Sequence, residues 1–146
     1  MQNINTVVSK TIDTCHTTSP YEICENLDII ILRLDLPQKV RGFYIKYEEV
    51  YVIILNEEID EDEALVVLAH ELGHIILHGD TNIMRIAFYT ELCTSRYERE
   101  ADLFAVELLL RHCDFHLEDC EGFSAEEISR MTHIPQALIK LKFGIE

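Results

Sequence analysis

Apolar residues recur along this chain with two different periods, and each change of period marks an element. Residues 4 to 15 place Ile4, Val7, Val8, Ile12 and Cys15 at helical spacing. Ser19 followed by Pro20 reads as an N-cap and a first helical position, opening a short helix through Leu27. Three strand-like runs come next, Ile29 to Leu34, Phe43 to Tyr47 and Val50 to Leu55, each β-branched or alternating. Pro37 and Gly42 bracket the first connection, and Glu48-Glu49 forms a charged turn. Strands joined by such short links predict an antiparallel meander, whose apolar face needs a helix to cover it.

The period then lengthens. Ala64 to His78, ALVVLAHELGHIILH, is apolar almost throughout, as expected of a helix buried on every side. Asp60, Glu61, Asp62 and Glu63 put negative charge where the helix dipole favours it, and Gly79 is positioned to stop the helix in a left-handed conformation. Residues 83 to 92 fit either a helix or an extended segment. From Thr94 a second helix carries a stripe of Tyr97, Ala101, Phe104, Ala105 and Leu108. Ser124 and Glu127 form a capping box for a third, and Pro135 opens a last one running to Phe143. The final pair has a helix-turn-helix outline, with structural packing as its expected role. The predicted class is α+β: a small three-stranded antiparallel sheet packed on the 64–78 helix, with further helices around it. A single domain over 1–146 is expected, made of N-terminal helices (1–28), a core (29–112) and a C-terminal helical extension (113–146).

Composition narrows the function. Lys plus Arg number 12 against 27 Asp plus Glu, a formal net charge of −15. That excludes a phosphate-binding footprint, so no direct nucleic-acid contact is expected, and it suits a basic protein partner. The apolar runs are too short to span a bilayer, and residues 1 to 10 lack a signal-peptide pattern. The five cysteines, Cys15, Cys24, Cys93, Cys113 and Cys120, form no C-x-x-C pair, which points to reduced thiols in a cytoplasm.

The chemistry lies in the apolar helix. Polar groups buried there need a partner or a metal, and His70-Glu71-x-x-His74 sets two imidazoles at i and i+4 on one face. This is the zinc-binding half of a metalloprotease site, with Glu71 beside the ion as general base. A catalytic zinc takes three protein ligands. Glu98 is the chosen third, with Glu100 its rival about 200° around the same helix. Asp102, one turn beyond Glu98, is placed to orient a liganding histidine. His78 continues the histidine row and is read as a C-terminal cap or outer-shell group. Asp80 stands where another zinc-protease plan has its third ligand, but Leu77 replaces the glycine that plan needs to bend the chain. Tyr89, Tyr97 and His112 are candidate donors to the oxyanion of the reaction. A separate structural zinc at His112, Cys113, His116 and Cys120 is a rival reading that adjacent ligands 112 and 113 disfavour.

HELGHIILH, preceded by VYVIILN and followed by YEREADLFAVELL, resembles the ImmA/IrrE metallopeptidases. The resemblance covers about residues 20 to 112. It implies a minimal gluzincin-like fold and a cytoplasmic zinc endopeptidase of bacteria or their mobile elements. It also implies cleavage of a helix-turn-helix repressor, often encoded alongside. Carried onto this chain, His70, His74 and Glu98 would be zinc ligands and Glu71 the base. Where the family often has L-L-M-P, this chain reads LLLRH, so its path after Leu110 is left open. The alternative is a non-proteolytic antirepressor or antitoxin-like protein that keeps the zinc fold and only sequesters its partner.

Overall fold

Two short helices lead into the sheet. The structure is a computed structural model describing residues 3–79, 91–116, 118 and 121–145. Helix α1 spans Ile4–Cys15, capped by the Asn3 side chain accepting from the Thr6 amide. Helix α2 spans Pro20–Asn26, with the Ser19 hydroxyl accepting from the Glu22 amide. Strands β1 (Ile30–Leu34), β2 (Gly42–Tyr47) and β3 (Val50–Asn56) follow. Helix α3 runs Glu61–His78 from an Asp60 cap, and α4 runs Glu91–His112. Helices α5 (Ala125–Thr132) and α6 (Gln136–Phe143) complete the described elements.

The class is α+β, but the sheet is mixed, not the antiparallel meander expected. Strand order is β1-β3-β2, with β2 antiparallel to β3 and β1 parallel to it. The link over residues 35–41 therefore arches across the C-terminal end of β3 instead of turning back beside β1. Asn56 holds that arch. Its side-chain amide donates to the carbonyls of Leu36, Pro37 and Val40, while its backbone N–H donates to Arg41. Almost wholly buried, it satisfies carbonyls that the arch would otherwise strand.

The inner face of the sheet meets α3. Gly42 lies so close that an added Cβ would fall 2.6 Å from Val67 Cγ1, and the Tyr51 hydroxyl donates to the Gly79 carbonyl at 2.7 Å. Gly79 itself is right-handed (φ −54°, ψ −35°), not the left-handed stop expected, and the tyrosine hydroxyl satisfies its carbonyl.

Helix α4 is the central rod. Phe104, Ala105, Val106, Leu108, Leu109 and Leu110 are all buried, so its apolar stripe is wider than the predicted one. It packs on α3, α1 and α6. The path after Leu110 is a helical stop made without proline: Asp114 takes a positive φ of 54° and the Phe115 amide donates back to Leu110 O. The α5–α6 pair buries Ile128, Ile134 and Ile139, and Lys142 of α6 pairs with Glu107 of α4. Among the described residues Cys15, Cys24 and Cys113 are free thiols, and no helix is long and apolar enough to cross a membrane.

Candidate metal centre

Gly73 decides how close the two long helices come. A Cβ there would meet Phe104 Cβ at 3.0 Å and the Ala101 carbonyl at 3.2 Å, so α4 lies almost backbone-on-backbone against α3. The helices cross antiparallel, and the side chains flanking the crossing interleave. His70 Nε2 sits 3.0 Å from Glu98 Oε2 and 3.1 Å from His74 Nε2. His74 Nε2 is 2.9 Å from Glu98 Oε1. His70 Nδ1 is 2.8 Å from Asp102 Oδ1, the geometry of an N–H donated to a carboxylate.

That last bond has an electrostatic consequence. With its proton held on Nδ1, His70 turns a lone pair toward the Glu98 carboxylate and toward the other imidazole. Three lone-pair donors then converge, and only a cation reconciles them. Burial alone would lower the pKa of His70, but its hydrogen bonds to Asp102 and Glu98, with the nearby Glu71 charge, outweigh burial and push it up to about 10. Hydrogen bonds from both histidines hold Glu98 far below the ordinary carboxylate range. A proton thus plays the cation's part. A divalent ion fits the same donor set: two imidazole nitrogens and one carboxylate oxygen lie within 4.8 Å of one another. Tetrahedral ligation with bonds of 2.0–2.1 Å sets ligand atoms about 3.4 Å apart, close to the spacings found. The His74 Nδ1, buried and without a hydrogen-bond partner among the described residues, leaves Nε2 as that ring's working atom.

Glu71 is buried beside this cluster. Burial raises its carboxyl to about 7, against the pull of His70 and His74 and with the Glu98 charge adding to the rise. It is poised to exchange a proton near neutral pH.

The other sequence candidates are placed as follows. Glu100 does not converge; it pairs with Arg96 at 3.2 Å and lies 3.6 Å from His78 Nε2. His78 does not cap the helix. It is buried, its ring edge-on to Tyr97 at 4.4 Å, and burial holds its pKa below the ordinary value against the pull of Glu100. Tyr97 is thus engaged one turn away from the cluster. His112 is a correction: it sits 14 residues beyond Glu98 on the same helix, about 20 Å off, with Nδ1 3.1 Å from the Thr18 hydroxyl. It is too far to serve an oxyanion. Tyr89, Asp80 and Cys120 lie outside the described residues, and among those described His70, His74 and Glu98 are the one group that could hold a metal ion.

Sequence reasoning missed Tyr44. Its ring stacks 6.0 Å from that of His74 at 29°, and no bond holds its hydroxyl among the described residues. Burial, then the charges of Glu71, Tyr51 and Glu98, push that hydroxyl up to about 12, so it stays a donor at neutral pH. The alternation of β2 puts Gly42, Tyr44 and Lys46 on one face. Which face meets α3 depends on a register that the sequence alone did not supply.

With this geometry in view, comparison with known proteins is decisive. The family model described as the IrrE N-terminal-like domain, a peptidase family, matches residues 24–140. The chain belongs to that family. A relative named metallopeptidase ImmA, from Bacillus subtilis, is 33% identical over 141 residues, covering 94% of this chain and 82% of its own length. An uncharacterized immunity region protein of Bacillus phage phi105 is 31% identical over 139 residues, covering 95% and 88%. No solved structure matches the chain. Membership makes the chain a metallopeptidase-family protein, and in this family member the residues able to hold the ion are contributed by α3 and α4.

Proposed function

We propose that the protein is a zinc-dependent endopeptidase that cleaves a helix-turn-helix transcriptional repressor encoded by the same genetic element. The observation that carries this reading is the convergence of His70, His74 and Glu98, with Glu71 buried alongside. When bound, zinc supplies Lewis acidity that makes water a nucleophile near neutral pH and polarises the scissile carbonyl. Glu71 takes the proton of the attacking water and returns it to the leaving amine, and its pKa near 7 suits both steps. Asp102 fixes the ring of His70 by holding Nδ1–H. Tyr44 presents a hydroxyl without a bond among the described residues on the sheet side of the cluster, where it can donate to the oxygen that gains charge.

Substrate class follows from shape and charge. Strand β2 is an edge strand, and Tyr44 marks where that edge borders the cluster. An extended peptide can pair with it through the backbone, which demands little sequence specificity. Selection then rests on docking, and a net charge of −15 favours a basic partner such as a DNA-binding repressor. The phage relative's name, an immunity region protein, supports a setting in a mobile element, and the whole reading is of a cytoplasmic enzyme.

The test is incubation of the purified, zinc-loaded chain with the repressor encoded beside it. Fragments should form with the wild type, and Glu71→Gln should slow their appearance by about 10²–10⁴-fold while zinc content stays at one per chain. Repressor released from its operator intact, equally by wild type and Glu71→Gln, would instead establish the sequestering antirepressor.

A further inference from the structure

The sheet has two faces, and among the described residues only the inner one is packed against a helix. Pairing in register aligns Ile30 and Leu32 of β1 with Val52 and Ile54 of β3, and these with Ile45 and Phe43 of β2, while Leu34 lies opposite the buried Asn56. Tyr47 and Val50 extend the same face toward the hairpin. Apart from Asn56, which is buried under the 35–41 arch, these side chains are apolar or aromatic, and none is charged. The strands' charged residues point the other way: Arg33 bonds Tyr21 and Glu61, and Lys46 lies over the Tyr51 ring. A sheet face that meets water ordinarily alternates to polar residues. This one is patterned as a core face, yet its members on β1 and β2, with Val50, are each 38–70% exposed. Together they present on the order of 600 Å² of contiguous apolar surface, at the upper limit for a monomer and close to the ~800 Å² per partner of a stable interface.

We propose that this face is a homodimer interface, covered by the same face of a second copy of the chain. Two such faces are self-complementary about a two-fold axis, and twisted sheets stack about 10 Å apart with their strands offset by roughly 30°. A basic protein is the other occupant that the overall charge suggests, but the face offers no carboxylate for it to pair with. Absence of charge at the centre of the patch is the mark of homodimer cores. Helix α3 and its cluster lie on the opposite side of the sheet, so this association leaves the metal centre open. Two chains of −15 repel, and salt screens that repulsion while strengthening apolar burial. Dimerisation therefore tightens as salt rises.

The experiment is sedimentation equilibrium of the full chain at several concentrations and at low and high sodium chloride. The expected result is a species of twice the chain mass that is more populated at high salt. Leu32→Lys and Ile45→Lys place a charge at the interface centre and should each raise the dimer dissociation constant at least about a hundredfold. Both positions are exposed in the single chain, so circular dichroism and zinc content should be unchanged; Leu32→Ser and Ile45→Thr serve as milder variants should either lysine unfold it. A wild type that stays monomeric at every concentration and salt overturns the proposal. So does a dimer that neither the lysine nor the milder variants weaken, or a monomer whose face is protected only on adding a repressor or lipid vesicles.

Discussion

His70 sits between two carboxylates, Asp102 on one ring nitrogen and Glu98 on the other, and that placement governs how the chain responds to pH. The folded pKa of His70, about 10, is above its ordinary 6.5. In the metal-free chain its stabilisation is therefore fully present below pH 6.5 and lost as pH climbs through 10. Glu71 has the opposite origin and the same sign: an acid raised from 4.5 to about 7 by burial, it costs the fold more as pH rises across that interval. Glu98, depressed, helps above pH 4.5 and is lost as pH falls below it. Stripped of metal, the chain should show a melting temperature that falls steadily from about pH 5 to about pH 9. Zinc-loaded protein should hold its melting temperature over that range, because the ion displaces the proton. Scanning fluorimetry with and without chelator checks both curves. Asp102→Asn keeps the shape of the side chain but removes its charge, and should weaken zinc 10–100-fold in competition with a chromogenic chelator.

At the scale of elements, the helices were far more legible than the sheet. Ser19 and Ser124 announce their caps in a few letters each, and the structure uses both; Asp60, read only for its charge, proves to be the cap of α3. The i, i+4 spacing of His70 and His74 needs only a helix to align them, and the Glu98–Asp102 spacing likewise. Strand neighbours leave no such local mark. Whether β1 pairs with β2 or crosses to β3 depends on Asn56, whose three carbonyl contacts form only after the arch closes, and nothing near Asn56 in sequence signals them. The same gap hid Tyr44, whose place beside His74 follows from that register. The crossing of α3 and α4 yields a prediction of its own. Gly73→Ala gains up to about 1 kcal/mol of helix propensity but drives a methyl into buried Phe104 and the Ala101 backbone, which costs about 1–3 kcal/mol. Net destabilisation of about 1 kcal/mol is expected in urea unfolding, together with weaker zinc binding, because a shifted α4 draws Glu98 away from both histidines.

Across the whole molecule, two kinds of surface coexist, an acidic shell and an uncharged sheet face. They answer to salt in opposite directions. Encounter with the proposed basic repressor would be steered by the shell and should slow several-fold between about 50 and 300 mM salt in stopped-flow binding, without a matching change in dissociation rate. Self-association through the sheet should strengthen over the same range. One titration with two readouts separates the surfaces.

The glycine crossing of α3 and α4 also bears on how this family can diversify. All three proposed ligands and the aspartate that steers His70 belong to two helices that pack on each other, and none belongs to the sheet. Apart from Tyr44, strands 30–56 can then drift in sequence, acquiring new edges for new targets and new outer faces for new companions, while the ion-holding residues behind them stay fixed. Variation among relatives should accordingly gather in the strands and thin out along the two helices.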